Sequence, residues 1–202
     1  MLHPYFTDHV VLQRGSTFPI LGSVEPGETV VVEFQDRTYQ AVADACGRWR
    51  TLLDLSESRS AARSRLQVTR SRGDSVTLLA AVGDVWVCSG QSNMTMPLSA
   101  TERASDRIAA SHAPDIHLLT IPRLVSDVPQ AAFRGDGWQV CSPETSANFS
   151  ALAYYFGRHL QPVLQVPLGL VHASVGATPA EAWTTVAVLQ SEADSQPILD
   201  RW

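Results

Sequence analysis

The segment Asp84-Val-Trp-Val-Cys-Ser-Gly-Gln-Ser-Asn-Met94 is the most informative part of the sequence about the fold. Its apolar first half predicts a buried strand, and the polar residues after it predict a turn that leads into a helix. Gly90 permits the tight turn. Ser92 then follows the carboxyl end of the strand, where open α/β sheets bind their ligands and where helix N–H groups can stabilise an oxyanion.

A single serine after a strand is weak evidence for catalysis. On spacing alone, Ser92 also fits the N-cap of the following helix. The stretch is not the G-x-S-x-G motif of α/β-hydrolases, because Met94 stands where the second glycine would be. The spacing therefore allows two roles for Ser92, a structural N-cap or a nucleophile.

The pattern after residue 83 is that of an α/β domain. Apolar runs at 116–121 and 168–173 predict strands, and residues 101–110 have helical character. Residues 146–161 predict the best helix, which Pro162 ends, and one face of it carries Phe149, Leu152, Phe156 and Leu160. Strands that alternate with helices over short connections predict parallel pairing.

A second polar segment, Ser174-Val-Gly-Ala-Thr-Pro-Ala-Glu-Ala-Trp183, also follows a predicted strand. Gly176 can present a backbone N–H to the crevice that holds Ser92. Thr178 is a candidate N-cap with Pro179 at the first helical position, and Glu181 then completes a capping box. This capping role is an alternative to a catalytic role for Thr178 and Glu181.

Residues 1–82 predict an antiparallel β-sandwich-like domain. Short β-rich runs alternate there with turn residues, and residues 56–65 predict a loop or a short exposed helix. The boundary to the α/β domain, 83–202, is expected near residues 80–84. The predicted strands are 10–12, 18–21, 29–34, 38–43, 49–53, 66–69 and 76–81.

Composition excludes several classes of protein. The chain has 202 residues, 45% of them hydrophobic, and a net charge of −5, which is neither a disordered composition nor one suited to nucleic acid. No apolar run is long enough for a membrane span. Three cysteines without metal-binding spacing predict no metal site and no cofactor. The first residues do not form a secretory signal, which leaves the location of the protein open.

Several segments of the chain resemble those of a known protein family. The stretch 84–94 is similar to the nucleophile motif of the sialate O-acetylesterase family, within the wider SGNH-type hydrolases. Further similar segments follow in the family's order, so the resemblance covers nearly the whole chain. These segments are 6–14, 26–28, 47–49, 138–145, 149–157, 166–170 and 176–183.

The resemblance implies a serine esterase that removes acetyl groups from sugar hydroxyls without a cofactor. Ser92 would be the nucleophile, and the N–H groups of Ser92 and Gly176 would bind the oxyanion. The substrate site would also include Gly90, Gln91, Asn93 and Glu181. The chain departs from the family in having Gly176-Ala177 for two glycines and Val175 for a tryptophan.

The base and acid that a serine nucleophile needs are not evident. Asp115-Ile-His117 resembles the family's acid–histidine segment, but it lies between the two motifs in an apolar run, so a structural role is expected. His172 is likewise expected to be structural, with the catalytic histidine lying beyond residue 202. We therefore expect residues 83–202 to be the N-terminal part of an SGNH-like catalytic domain, with little or no turnover by this chain alone.

A different class of function also fits the sequence. The chain could be a non-catalytic carbohydrate-binding or interaction module in which the sandwich carries the function and the hydrolase part is degenerate. For the esterase, the expected partner is an acetylated sugar or glycan. Neither nucleic acid nor a membrane is expected as a partner, and the sequence leaves the sugar and the oligomeric state open.

Overall fold

The structure, a computed structural model, describes residues 1–57, 63–128 and 130–201. Residues 58–62, which fall in the predicted loop or short helix, lie outside this part of the chain. The described strands are β1 (Val10–Gln13), β2 (Thr17–Ser23), β3 (Thr29–Phe34), β4 (Arg37–Val42), β5 (Arg48–Asp54), β6 (Ser64–Arg70), β7 (Ser75–Gly90), β8 (Ala113–Thr120), β9 (Gln139–Cys141) and β10 (Leu168–Ser174). The described α-helices are α1 (Ser92–Thr95), α2 (Ala104–Ala109), α3 (Pro143–Ser146), α4 (Ala151–Leu164), α5 (Val186–Ser191) and α6 (Gln196–Leu199).

The fold is mixed α/β and is built on one large sheet. Eight of the described strands form this sheet in the order β4-β3-β6-β7-β10-β8-β9, and β1 also pairs with β7. Strands β7, β10 and β8 are parallel to one another, as the alternation of strands and helices predicts. The short strand β9 adds an antiparallel edge that the sequence pattern did not predict.

Strand β7 joins the two predicted domains. It runs without interruption for 16 residues, so the strands expected separately at 76–81 and 84–88 are one strand. Its first part pairs with β6 and β1, and its second part pairs with β10. The expected boundary between residues 82 and 83 therefore lies inside a strand. Gly83 lets the strand pass the backbone at Pro167, because a Cβ there would lie 1.9 Å from the Pro167 carbonyl oxygen.

The N-terminal strands form where the sequence predicts them, and β3 has the predicted bounds. Strands β3, β4 and β6 and the first part of β7 are antiparallel, whereas β1 joins β7 in parallel, which differs from the expected all-antiparallel arrangement. Strands β2 and β5 form a separate two-stranded sheet. Its Ile20 and Leu53 share a hydrophobic cluster with Val30 of β3 and with Val171 of β10. The sandwich over residues 1–82 stays a prediction, since the core continues into the parallel strands.

The predicted helix over 146–161 corresponds mainly to α4, which begins at Ala151, and Ser146 is instead the last residue of α3. Ser150 caps α4 by accepting a hydrogen bond from the Ala153 N–H, and Pro162 lies inside the helix rather than at its end. The predicted apolar face is only partly buried, since Phe149 is 3% exposed whereas Leu152 is 51% exposed and Phe156 is 39% exposed. The buried residues of α4 are Ala151, Ala153, Tyr154 and Gly157, and a Cβ at Gly157 would lie 2.7 Å from Leu170 of β10.

The described part of the chain contains no helix that is both long and apolar enough to cross a lipid bilayer.

Candidate active site

The two polar motifs meet at one edge of the parallel sheet. Ser174, the last residue of β10, is paired in register with Gly90, the last residue of β7. The Val175 N–H donates a hydrogen bond to the Gly90 carbonyl oxygen at 3.0 Å, so the two strands stay paired up to their carboxyl ends. The segments that follow β7 and β10 therefore start side by side, as the two motifs predict.

Gly90 directs the chain from β7 into the turn that carries Ser92. Its φ of +133° lies in a region that side chains with a Cβ rarely adopt. Helix α1 begins at Ser92, and its N-cap is Gln91, whose side-chain oxygen accepts the Ser92 N–H at 2.7 Å. The capping interpretation of Ser92 is therefore wrong. The helix is a single turn and leaves the Ser92 side chain exposed.

The segment after β10 faces Ser92 at close range. A Cβ on Gly176 would lie 3.7 Å from Ser92 Oγ, so the glycine keeps the space in front of the hydroxyl open. The N–H that reaches Ser92 Oγ belongs to Ala177 and donates at 3.2 Å. Ala177 itself has a left-handed φ of +62°. The sequence suggested Gly176 as the donor toward this site, whereas here the next residue donates to the serine oxygen.

Three side chains below Ser92 form a hydrogen-bonded chain that the sequence analysis missed. Ser174 Oγ lies 2.8 Å from Thr95 Oγ1 and 2.6 Å from His172 Nε2. Thr95 also donates to the Gln91 carbonyl oxygen at 3.2 Å. The strand alternation places His172 and Ser174 on the same face of β10, which is the one sequence signal for this contact.

The other predicted site residues lie in different surroundings. Asn93 is exposed in the turn of α1, whereas Glu181 has its carboxylate 3.9 Å from Arg201. The predicted capping box does not form. Thr178 instead donates to the Val175 carbonyl oxygen at 2.8 Å and accepts a hydrogen bond from the Trp183 indole at 2.9 Å. These two bonds fold the segment after β10 back on itself.

The histidines do not supply a base for Ser92 in this structure. His117 is buried in the core, where its Nδ1 lies against the His9 carbonyl oxygen, as expected of a structural histidine. Burial lowers the pKa of His117 and also lowers the pKa of His172. All six histidines lie within the described residues, and none of them forms a hydrogen bond with Ser92 Oγ.

Cys88 and Cys141 are both buried free thiols, so they do not pair. Burial raises the pKa of each thiol to about 11, which keeps the sulfur protonated and unreactive near neutral pH. Cys88 is therefore an apolar filler of strand β7 and not a nucleophile. Within residues 1–57, 63–128 and 130–201, no three side chains of His, Cys, Asp or Glu are grouped closely enough to bind a metal ion.

A cleft of about 310 Å³ lies beside the carboxyl end of β8. Thr120, the last residue of β8, lines it and is paired in register with His172 of β10. The ring of Phe149, which also lines the cleft, packs edge-on against His172 with centroids 5.6 Å apart. Further polar side chains in its wall are Asp136, Gln139, Glu144, Thr145 and Asn148. The cleft therefore opens at the same end of the sheet as Ser92.

Curated proteins similar to this chain share one name. Human sialate O-acetylesterase is 28% identical over 199 residues, which is 90% of this chain, and the mouse enzyme is 28% identical over 207 residues. The rat sialate O-acetylesterase is 33% identical over 117 residues, which is 54% of this chain. The chain is therefore similar in sequence to the sialate O-acetylesterases. No protein-family model matches it.

A solved structure agrees with this relation to the sialate O-acetylesterases. A carbohydrate acetylesterase from Xanthomonas citri superposes with a TM-score of 0.88 at 28% identity and covers 97% of this chain. The match covers 45% of that enzyme's chain, and this chain spans 38% of the length of the human and mouse sialate O-acetylesterases. The similarity therefore concerns a part of each relative.

Proposed function

We propose that this chain carries the nucleophile part of a carbohydrate O-acetylesterase, with Ser92 as the nucleophile. The observation that carries the proposal is the position of Ser92. Its hydroxyl is exposed at the carboxyl edge of a parallel sheet and accepts a hydrogen bond from the Ala177 N–H. The similarity to sialate O-acetylesterases and to a carbohydrate acetylesterase supports this chemistry for the site.

The reaction follows from the chemistry of a serine ester hydrolase. Ser92 Oγ attacks the acetyl carbonyl carbon and gives up its proton to a base, which forms a tetrahedral oxyanion. The intermediate collapses, the sugar oxygen leaves and takes up a proton, and the acetyl group stays on Ser92. Water then attacks the acetyl-serine and releases acetate, so that the serine regains its proton.

Backbone N–H groups beside Ser92 would stabilise the oxyanion. In the described residues the Gly176 N–H has no hydrogen-bond partner, and a Cβ built on Gly176 would lie 3.7 Å from Ser92 Oγ. The Ser92 N–H is held by the Gln91 side chain, so Gln91 would have to release it before it could donate to substrate. Preorganised donors of this kind typically contribute about 3 kcal/mol each to transition-state stabilisation.

The base would come from polypeptide other than the described residues, since no histidine among them bonds to Ser92. The chain would then hold only the nucleophile half of the active site. A chain without a base should still react slowly with an activated ester, because water can accept the proton of Ser92 and a good leaving group needs no general acid. Hydrolysis of the acetyl-serine would be slower still, and little turnover is expected.

The cleft beside β8 is the proposed place for the sugar. It lies at the ligand-binding end of the parallel strands, and its polar wall offers acceptors and donors for sugar hydroxyls. Glu181 and Asn93 would lie around the acetyl group, as the resemblance implies. An acetylated sugar or glycan is therefore the proposed substrate.

The proposal is tested with p-nitrophenyl acetate. The wild-type chain should release p-nitrophenol in a slow phase of about one equivalent, and the Ser92→Ala variant should lose this phase. Ser89→Ala is the matched control, because Ser89 is an exposed serine three positions earlier on the same segment. A phase that survives in Ser92→Ala would overturn the assignment of the nucleophile.

The alternative function is a non-catalytic carbohydrate-binding or interaction module. The observation that favours it is the lack of any histidine bonded to Ser92. Titration of the wild-type chain and of Ser92→Ala with a non-acetylated sugar separates the two functions. Sugar binding together with complete inertness of Ser92 would support the module.

A further inference from the structure

We infer that His172, Ser174 and Thr95 are positioning residues that hold the turn bearing Ser92 against the end of β10. The inference rests on the proposed function, since it concerns the reactivity of Ser92. The three side chains join two elements that are 79 residues apart in the chain, through the bond of 2.8 Å between Thr95 and Ser174. None of the three touches the reacting hydroxyl in a described hydrogen bond.

Two hydrogen bonds hold the hydroxyl group of Ser174 in place. Ser174 Oγ lies between His172 Nε2 at 2.6 Å and Thr95 Oγ1 at 2.8 Å, so its single proton serves one bond and its lone pairs accept the other. Both His172 and Ser174 are more than nine-tenths buried. A buried hydrogen bond is not exchanged with water, which makes it strong and fixed in direction.

Thr95 transmits this fixed position to Ser92. Thr95 is the last residue of α1, and both its N–H and its hydroxyl reach the Gln91 carbonyl oxygen, at 3.0 Å and 3.2 Å. Helix α1 is a single turn with no buried residue of its own. Met94 of α1 packs against the core and accepts a hydrogen bond from Ser150. Beside that contact, the helix is held by the bond of Thr95 to Ser174 and by the Ala177 N–H that reaches Ser92 Oγ.

The second ring nitrogen of His172 indicates that the hydrogen-bonded chain has a role besides stabilising the fold. His172 Nδ1 is buried and makes no hydrogen bond of good geometry in the described residues, although the Met94 backbone in α1 lies close enough to act on the ring and to raise its pKa. An unsatisfied buried polar atom costs about 1–3 kcal/mol. An apolar side chain at this position would avoid that cost, but it would leave Ser174 without its bond of 2.6 Å.

The test compares Thr95→Val, which has nearly the same shape but no hydroxyl, with Thr95→Ser, which restores the hydroxyl. Two quantities are measured, the rate at which a fluorophosphonate probe labels Ser92 and the amide resonance of Ala177 in a ¹⁵N-labelled sample. Thr95→Val and Ser174→Ala should each lower the labelling rate about tenfold, because small misplacements of a reacting group have large effects on rate. Both should shift the Ala177 resonance, and Thr95→Ser should return both quantities toward the wild type.

Ser111→Ala is the matched control. Ser111 accepts a buried hydroxyl–hydroxyl bond of 2.8 Å from Ser146, so its loss should reduce stability much as Ser174→Ala does, but without effect on Ser92. Labelling within twofold of wild type in Thr95→Val, or an equal loss in Ser111→Ala, would overturn the inference. If the wild type is not labelled, the proposed esterase chemistry fails, and the Ala177 resonance alone decides the positioning role. An unchanged resonance in Thr95→Val would then refute it.

Discussion

Gly90 and Gly176 lie on the two sides of Ser92 and differ in backbone conformation. Gly90 has a φ of +133°, whereas Gly176 lies outside the positive range, and a Cβ at either position would meet no atom closer than 3.7 Å. Gly90→Ala should therefore destabilise the protein by about 1–3 kcal/mol through backbone strain alone. Gly176→Ala should leave stability nearly unchanged. Urea unfolding measures both, and equal losses would contradict this account.

The residues around Ser92 differ in how far they can be predicted from sequence. Ser92 and Gly176 follow from the motifs, because each comes directly after an apolar strand. Thr95 and the Ala177 N–H could not be predicted, since their contacts depend on how one turn of helix sits on the neighbouring strand. The predicted capping box at Thr178 does not form because the Thr178 hydroxyl is used elsewhere. It donates to the Val175 carbonyl oxygen and accepts a hydrogen bond from the Trp183 indole.

The parallel strands β8 and β10 each bury a histidine, which makes the stability of the sheet depend on pH. Burial lowers the pKa of His117 and of His172 from the ordinary value of 6.5, so the unfolded chain binds these protons more readily than the folded one. Stability should be full above about pH 6.5 and should fall as the pH decreases below it. The urea midpoint between about pH 8 and 5 measures this effect. A midpoint that is flat or rises on acidification would contradict the account.

The helices were harder to predict than the strands. Strands β3 and β10 follow directly from their apolar and β-branched residues. On the predicted apolar face of the helix, Leu152 and Phe156 are exposed, whereas Tyr154 and Gly157 of α4 are buried and Gly157 packs against Leu170. Pro162 remains inside α4 near its carboxyl end, where the helix continues for two more residues to Leu164. A close helix–sheet contact made through glycine leaves no hydrophobic signal in the sequence.

Strand β7 and the hydrophobic core around it connect residues 1–82 with residues 83–202. The strand pairs with β6 and β1 in its first part and with β10 in its second, and one hydrophobic cluster includes Ile20 of β2 and Val171 of β10. We predict a single cooperative unfolding transition, with coincident midpoints by tryptophan fluorescence and far-ultraviolet circular dichroism. Two separated transitions would instead support independent domains at residues 1–82 and 83–202.

This architecture also explains why the division into two domains was expected. The composition changes from antiparallel hairpins to alternating strands and helices near residue 83, and that change was visible in the sequence. The continuity of β7 was not visible, because Gly83 and Asp84 resemble a turn between two strands. Gly83 is needed instead for the close approach to Pro167, and Asp84 forms a salt bridge with Arg14 at 2.9 Å.

If Ser92 is the nucleophile of an esterase site, it should form a covalent adduct with a serine-directed probe. The wild-type chain is incubated with a fluorophosphonate probe, digested, and the modified peptide is identified by mass spectrometry. We expect an adduct on Ser92 in the wild type and in Ser89→Ala, and no adduct in Ser92→Ala. An adduct on another residue, or no adduct with an intact fold, would contradict this assignment.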